Sequence, residues 1–537
     1  MELLTLAFTR RYGTYAAALT ATVVFLVLTM IEPGFVWPFV IAAILALIGT
    51  YDLMQTHHSI SRNYPIAAHI RFLLEDMRPE IRQYFLEGDT DGMPFNRNER
   101  SLVYQRAKGQ LDKRPFGTEL DVNAEEFEWL NHSIAPKEPA KEPFRITIGG
   151  ADCKHPYSAS IFNISAMSFG ALSANAIRAL NKGARLGKFA HDTGEGGYSP
   201  YHRENGGDII WEIGSGYFGC RNPDGSFSPE RFAEAAANTQ VKMVEIKLSQ
   251  GAKPGHGGVL PGAKVSPEIA ATRGVPAGVD CISPARHSAF STPIGLTRFI
   301  AQLRELSGGK PVGFKLCIGH PWEFLAICKA MLETGILPDF IVIDGAEGGT
   351  GAAPLEFTDH VGMPLRDGLL FARNALVGVN LRDKIRIGAS GKVTTAFDIA
   401  RMIALGADWC NAARGFMFAL GCLQSQSCHT DRCPVGVATQ DQTRQRALVV
   451  PDKAERVFHF HRSTVIALAE LMAAAGLEHP EEITPLHISK RLTAGEVSSY
   501  AELYRFLTPG ELLHGTDDPR FQKAWAMARA DSFAPAV

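Results

Sequence analysis

A (β/α)8 barrel of the TIM type, an α/β fold with long insertions behind a helical N-terminal region, is the architecture this sequence predicts. Three observations carry it. Short apolar runs recur from about residue 158, each closing on a small or polar residue. Stretches of helical periodicity lie between several of them, and eight such runs fit into about 260 residues. Strand–helix alternation implies a parallel sheet, and eight repeats match a closed barrel. A doubly wound open sheet is the structural alternative. The barrel is favoured because Gly or polar residues close nearly every run, where a barrel keeps its active site.

The runs are "SIFNISAMS" near 158–168, "KFAHDTG" at 188–194, "KMVEIKLSQG" at 242–251 and "GVDCIS" at 278–283. "PVGFKLCIG" at 311–319, "PDFIVIDGAEGG" at 338–349, "KIRIGASG" at 384–391 and "ADWCNAARG" at 407–415 complete the series. Helical segments are expected at 175–186, 294–307, 321–335 and 395–406. Two Gly-rich connections, 198–240 and 250–277, are too long for plain barrel loops, and loops of that length are usually functional or disordered. The second carries Gln250, Lys253 and Lys264 among its glycines and prolines, which predicts an ordered lid over a ligand. A solvated loop is the alternative.

The N-terminus is the compositional exception. Residues 15–31 hold no charge, and after "EPG" a second apolar run spans 35–49. Each makes roughly 25 Å of helix against a hydrocarbon core of ~30 Å, with Tyr12, Tyr15, Trp37 and Tyr51 at the flanks. A signal peptide followed by chance hydrophobicity is the other reading. The Pro-Gly turn and the lack of a small-x-small cleavage site favour a membrane hairpin. Arg10 and Arg11 before the first run, and Arg62 and Arg71 after the second, favour both ends in the cytoplasm. The expected layout is a hairpin at 1–52, a connecting region at 53–144, the barrel at 145–475 and a helical C-terminal extension at 476–537. The expected location is the cell inner membrane, with the catalytic domain on the cytoplasmic side.

Composition adds limits: 46% hydrophobic residues, 20% charged and a net charge of −2. That balance makes no electrostatic case for nucleic acid. Six of the nine cysteines are scattered through apolar runs and are expected to be reduced and buried. The other three, Cys422, Cys428 and Cys433, fall within twelve positions. Two would suggest a redox disulfide and four would suggest zinc. Thiolates select iron–sulfur or zinc, and Pro434 after the last cysteine suits a cluster motif. Zinc with His429 as fourth ligand is the alternative, although His429 adjoins Cys428 and one tetrahedral centre seldom takes neighbouring side chains.

Gly-rich turns follow the seventh and eighth runs, at "IGASGK" (387–392) and "NAARGF" (411–416). In a barrel that is the common phosphate site, and Lys392 or Arg414 would add charge. Lys315, ending the fifth strand, is placed to lie under a cofactor ring and stabilise negative charge on it. FMN would use both features.

"SAMSFGALS" (165–173), "DTGEGG" (192–197), "SGYFG" (215–219), "LSQGAKPGHGGVLPGAKVSP" (248–267), "DGAEGGTGAAP" (344–354) and "CLQSQSCHTDRCPVGVATQD" (422–441) resemble, in order, signatures of the FMN-binding synthase domain of glutamate synthase. The resemblance runs from about 145 to 475. It implies FMN bound by Ala166, Met167, Ser168, Lys315, Gly349, Ser390, Gly391, Lys392, Ala413, Arg414 and Gly415. It implies a three-iron, four-sulfur cluster on Cys422, Cys428 and Cys433, and a 2-oxoglutarate site at Gln250, Gly251, Lys253 and Arg273. Glu195 would guide ammonium or assist proton transfer, and Glu195, Lys315 and Gln250 form the expected catalytic set. Plainer roles remain open: Glu195 capping a turn and Arg273 pinning the lid.

Departures from the family pattern matter as much. Two apolar helices stand where a cysteine-led amidotransferase domain would begin, and too little chain follows 475 for the family's β-helical tail. No nicotinamide-binding fingerprint is apparent. Nitrogen is therefore expected from free ammonia or another amino donor. Electrons are expected from a ferredoxin-like protein, a flavoprotein or the membrane redox pool. An enzyme of the same fold joining an amine to glutamate, and a membrane-tethered redox carrier, are the competing readings. One position bears on substrate. Seven residues before the serine of the S-G-x-F-G motif the glutamate synthases carry a serine near 2-oxoglutarate, and here Asp208 stands. Inside the site it would repel a dianion by about 1 kcal/mol or more at 4 Å. The alternative has Asp208 facing away or paired with Arg203.

Overall fold

The computed structural model describes residues 10–536, so the first nine residues of the expected 1–52 hairpin lie outside the described part. The chain forms two units, residues 1–97 and 98–537. In the first, two nineteen-residue helices, α1 (Gly13–Ile31) and α2 (Val36–Met54), pack on each other across the turn at Pro33–Phe35. Their contact is close: a Cβ on Gly49 would fall 2.3 Å from the Tyr15 ring. Their outer faces stay apolar and exposed, with Val23, Val27, Ile41 and Leu47 each more than half accessible. Both helices are long and apolar enough to cross a membrane. A third helix, α3 (Ala67–Ile81), follows.

The second unit is built on a closed barrel of eight parallel strands. They are β1 (Phe162–Ile164), β2 (His191–Asp192), β3 (Ile209–Ile213), β4 (Val241–Lys247), β5 (Val312–Leu316), β6 (Phe340–Asp344), β7 (Arg386–Ser390) and β8 (Trp409–Ala412). The ring closes where Cys410, Asn411 and Ala412 of β8 pair with Phe162, Asn163 and Ile164 of β1. The four helices expected from periodicity are present within two residues of their predicted bounds, at Ala174–Gly187, Pro293–Leu306, Pro321–Thr334 and Ala396–Ala404.

Two expectations about the strands are corrected. The run at 278–283 is not a barrel strand. Cys281–Ile282 pairs antiparallel with Val259–Leu260 in a separate two-stranded flap, and Ile282 is 67% exposed, which no barrel strand packed on both faces would allow. The missing barrel strand is β3, inside the 198–240 segment expected to be a long loop. Glycines at 206, 207 and 214 punctuate it and Glu212 interrupts its apolar run, so its pattern is that of a loop. The same segment also holds a helix, Pro229–Ala236.

Outside the barrel, Arg145–Ile148 pairs antiparallel with Tyr157–Ser160, the strand just before β1. The long helix Val450–Ala474 packs along Ala174–Gly187, and Gly183 makes that approach possible: a Cβ there would sit 2.5 Å from Val457. The C-terminal region is not purely helical as expected. It carries a hairpin, Ile488–Thr493 with Glu496–Ser499, which takes Glu128–Leu130 as a third strand. Buried Glu128 holds this sheet to the barrel's helices by accepting hydrogen bonds from Arg366, Arg401 and Tyr500. Burial opposes its charge, but the two arginines hold its carboxyl below the usual range.

Candidate active site

Strand pleating sends alternate residues inward, so a charged residue in an apolar barrel strand must find its counter-charge inside. Lys315 of β5 is 3% exposed. Its ammonium contacts the Glu212 carboxylate and lies 3.2 Å from Glu245 Oε1. Burial disfavours its charge, but Glu212, Glu245, Asp192 and Asp344 outweigh that and push Lys315 well above the ordinary lysine value. It is a fixed cation. The carboxyl groups of Asp192 and Glu245 shift upward as well, which for an acid disfavours the charge. Burial and repulsion from Glu245 and Glu212 raise Asp192 well above the carboxylate range. Burial, against the pull of Lys315 and with repulsion from Glu212, brings Glu245 up to about 7.

Above this layer opens a cleft enclosing about 1350 Å³, including its solvent-open mouth. Lys315, Glu212, Asp344 and Ser390 face it from the strand ends. Residues 250–283 form a lid. The Gly251 N–H donates to Asp344 Oδ2 at 2.8 Å, and a Cβ on Gly251 would strike the Gly345 carbonyl at 1.9 Å, so only glycine fits that crossing. Gln250 Nε2 donates to the Gly349 carbonyl (3.2 Å) and Lys253 Nζ to that of Ala352 (3.2 Å). The expectation of an ordered lid therefore holds: it closes directly on the loop after β6.

Glu195 and Lys247 stand beneath the lid, and the lid itself brings Lys253 and Arg273 to the cleft. Glu195 Oε2 lies 3.1 Å from Lys247 Nζ. Burial would raise its pKa, but Lys247, Arg273 and Lys253 outweigh that and keep it an ionised carboxylate. The lid fits it tightly, because a Cβ on Gly258 would come 2.1 Å from Glu195 Oε1. Arg273, 4% exposed, ends the helix Pro267–Arg273. It donates to the Phe169 carbonyl (3.1 Å), while its Nε is buried without a partner among the described residues. Lys253 is also 4% exposed, and burial lowers its pKa. Two buried cations, Lys253 and Arg273, therefore line the cleft.

At the other end of the cleft, the turns after β7 and β8 present Gly391, Lys392, Ala413 and Arg414. Arg414 Nη2 donates to the Thr350 carbonyl at 3.1 Å, clamping the loop that the lid holds from its other side. Cys428 and His429 form part of the same wall. The cysteine loop bends sharply: Gln424, Gln426 and Asp431 take φ of +58°, +56° and +63°, a left-handed conformation that costs energy in such residues. Beside it Lys264, 2% exposed, donates to the carbonyls of Ala171 (2.9 Å), Cys428 (3.3 Å) and Ala438 (3.3 Å). Burial raises the thiols of Cys428 and Cys422, the latter to about 11. Among the described residues the one set of His, Cys, Asp or Glu ligand atoms gathered within 4.8 Å is Asp192, Glu212 and Glu245. The three sulfurs stand wider apart than one shared ion requires.

Most of the residues expected from the sequence thus meet in one cleft. Glu195, Gln250, Lys253, Arg273 and Lys315 line it, as do Ala166, Met167, Ser168, Gly349, Ser390, Gly391, Lys392, Ala413, Arg414 and Cys428. Gly251 and Gly415 do not: the first ties the lid to Asp344, and the second packs under Phe460. Cys422 and Cys433 are not on the cleft wall either. Asp208 is the clear correction. It precedes β3 and so sits at the N-terminal end of the barrel, where it accepts a hydrogen bond from Tyr157 (2.9 Å) and lies 3.8 Å from Lys242. Glu212, Lys247 and Asp344 line the cleft without having been singled out. Their sequence signal is a charge set inside or at the end of an apolar strand run.

Similarity to known proteins agrees with this geometry. Residues 132–478 match the family model described as the conserved region in glutamate synthase. The chain is 38% identical over 487 residues to the glutamate synthase large subunit-like protein YerD of Bacillus subtilis, covering 83% of this chain and 92% of that one. It is 36% identical to the archaeal glutamate synthase [NADPH] of Methanocaldococcus jannaschii over 321 residues, 60% of each chain. Among solved structures, a flavocytochrome b2 mutant with pyruvate bound aligns with 82% of the chain and 92% of its own at 14% identity and a TM-score of 0.40, too distant to carry an argument. The chain belongs to the glutamate synthase family.

Proposed function

We propose that the chain is an FMN- and iron–sulfur-dependent enzyme that reductively aminates 2-oxoglutarate or a related 2-oxo acid, held at the cell inner membrane with its barrel in the cytoplasm. Membership of the family makes it a glutamate synthase-like oxidoreductase. One observation carries the finer reading. Cys428, Arg414, Lys315, Lys253 and Arg273 all line one cleft. That lining supports a flavin and a dicarboxylate in the cleft, with an electron carrier reaching it through Cys428.

The residues fit these groups. Lys392 and Arg414, with the backbone of the turns after β7 and β8, suit a phosphate, and buried Lys315 suits the electron-rich edge of a flavin. The three cysteines surround a bent loop whose thiolate charge buried Lys264 would offset. FMN, when bound, supplies hydride transfer, and a three-iron cluster on Cys422, Cys428 and Cys433 supplies single electrons. The chain's own residues do the rest. Lys253 and Arg273 bind the two carboxylates of the oxo acid and orient its C2. Glu195, kept ionised beside Lys247, attracts ammonium and accepts a proton from it as the imine forms. The lid, seated closely at Gly251 and Gly258, excludes water.

The competing readings are less well supported. Asp208 gave the argument for an altered, cationic substrate, and its place beside Tyr157 removes that argument. A pure redox carrier has no use for the Lys253–Arg273 pair. Electrons would come from a ferredoxin-like protein, a flavoprotein or the membrane redox pool. The membrane reading rests on the length and apolar surface of α1 and α2, and on Arg11, Arg62 and Arg71 beyond them.

Anaerobically purified protein should be yellow, release FMN in acid and carry about three irons per chain. After chemical reduction, 2-oxoglutarate with ammonium should re-oxidise it and yield glutamate. Failure of both on flavin-loaded protein overturns the proposed reaction, and zinc in place of iron overturns the cluster. The full-length chain should stay in the membrane fraction through a high-salt wash.

A further inference from the structure

The helix α3 carries a pattern that neither the barrel nor the hairpin uses. Ile70, Leu73, Leu74 and Met77 follow the i, i+3, i+4, i+7 rule, so at about 100° per residue they occupy one stripe of the helix. They are 64%, 58%, 56% and 47% exposed. On the same helical projection Arg71 and Arg78, with Arg82 in the turn that follows, fall together along one border of that stripe. Phe85 and Leu86, just beyond, are 82% and 73% exposed. A helix with an apolar stripe bordered by arginines is built to lie between water and hydrocarbon.

The start of α3 fixes where that helix begins. Pro65 accepts a hydrogen bond through its carbonyl from Thr14, near the first residue of α1 (2.8 Å). The Ile66 N–H donates to Asp52, near the last residue of α2 (2.9 Å), and His69 Nε2 lies 2.9 Å from the same carboxylate. Asp52 is 1% exposed, and it holds Ile66 at φ +67°, a costly turn for a β-branched residue. The turn therefore starts α3 at the end of the hairpin where the chain enters α1 and leaves α2. If those helices span a bilayer, that end is the membrane surface. Arg71 is paired with exposed Glu75 at 2.8 Å, a pair that contributes little in water and does not compete strongly with lipid phosphate, while Arg82, itself 63% exposed, pairs at 3.2 Å with the more buried Glu87.

We propose that α3 lies in the plane of the bilayer surface, with the Ile70, Leu73, Leu74 and Met77 face below the headgroups and Arg71, Arg78 and Arg82 at the level of the phosphates. This rests on the reading of α1 and α2 as membrane spans, and the test separates the two. The full-length chain is reconstituted in vesicles of phosphatidylcholine with a quarter phosphatidylglycerol, the acyl chains brominated. A fluorescent non-coded amino acid replaces Leu73, Glu75 on the polar face, or Leu26 of α1. The label at Leu73 should lose about half its emission or more, and the label at Glu75 should keep most of its own. Quenching at Leu26 without quenching at Leu73 overturns the in-plane helix, a second copy or a protein partner then covering the stripe, and leaves the spans standing. No quenching at Leu26 overturns both. In the same vesicles Leu73→Asp with Leu74→Asp should leave the chain membrane-bound and speed tryptic cleavage after Arg82 by roughly tenfold as the helix lifts from the surface. An unchanged cleavage rate overturns the proposal.

Discussion

The two ends of the barrel hold buried charge in opposite ways. At the N-terminal end each charge is matched and fully bonded. Asp339 accepts hydrogen bonds from Arg304 Nε (3.1 Å), Arg304 Nη2 (3.0 Å), the Val312 N–H (2.8 Å) and the Gly150 N–H (2.6 Å). Asp408 is satisfied in the same way by Arg382, Arg386 and the Ile387 N–H. At the C-terminal end Lys315 faces Glu212, Glu245 and Asp192, and both oxygens of Glu245 lack a well-formed hydrogen bond. The first arrangement stabilises the fold and asks for nothing more. The second keeps unsatisfied valences below an open cleft, which an active site needs and a stable core avoids.

The largest expected effect tests that contrast directly. Lys315→Met leaves three buried carboxyl groups without their cation, and breaking such a pair costs about 3–5 kcal/mol. Arg304→Met at the other end should cost a similar amount. Only the first should also abolish flavin retention, because Arg304 lies nowhere near the cleft. Denaturant melts with flavin absorbance on the same samples give both readings. Loss of flavin from both variants in proportion to their instability would show that the two ends do not differ in role.

Next in size are the two cations that the lid carries into the cleft. Lys253→Met and Arg273→Met each remove a charged hydrogen-bond donor, worth about 1.5–3 kcal/mol, so 2-oxoglutarate should bind roughly 10- to 100-fold more weakly to each. Flavin content should not change. Titration calorimetry of flavin-loaded protein checks this, and unchanged affinity in both variants would remove the dicarboxylate site from this cleft.

Smaller again is a pH effect. Glu245 rises to about 7 in the folded chain from an ordinary 4.5. The folded state then binds a proton that the unfolded state has released. Stability should fall as pH rises from about 4.5 through 7 and level off above, by roughly 3 kcal/mol. Glu245→Gln should flatten that slope and be the more stable protein at pH 8. Denaturant unfolding of both from pH 5 to 8 measures it, and parallel slopes would mean that Glu245 does not hold the proton.

Much of this was legible from the residues. Seven barrel strands and four helices follow from period and punctuation, because each is an apolar run closed by Gly or a polar residue. The lid was readable because Gln250, Lys253 and Lys264 have no reason to crowd into a solvated glycine loop. What stayed hidden depended on register. β3 is five residues long, carries Glu212 and lies between glycines, so hydrophobic period cannot separate it from a loop. The strand-like run at 278–283 pairs with Val259–Leu260 inside the lid, a choice that packing makes and composition does not record. The acid–lysine cluster required knowing that Asp192, Glu212 and Glu245 all point inward.

Asp208 shows how much one hidden strand can mislead, and it carries the smallest expected effect. Counted from the S-G-x-F-G motif it is seven residues from the cleft. Once β3 is placed, a five-residue strand at about 3.3 Å per residue puts it roughly 20 Å from that motif, at the other end of the barrel. There it accepts the Tyr157 hydroxyl proton, and burial together with the Asp208 charge pushes that hydroxyl's pKa up, so Tyr157 remains a donor. Removing the carboxylate should cost the net value of one hydrogen bond to a charged group at a partly exposed site, about 1 kcal/mol. Asp208→Ser should therefore lower the unfolding midpoint slightly and leave 2-oxoglutarate affinity unchanged, where Arg273→Met shifts it at least tenfold. A several-fold tightening of 2-oxoglutarate in Asp208→Ser, with stability unchanged, would put the carboxylate back in the cleft and reopen the case for a cationic substrate.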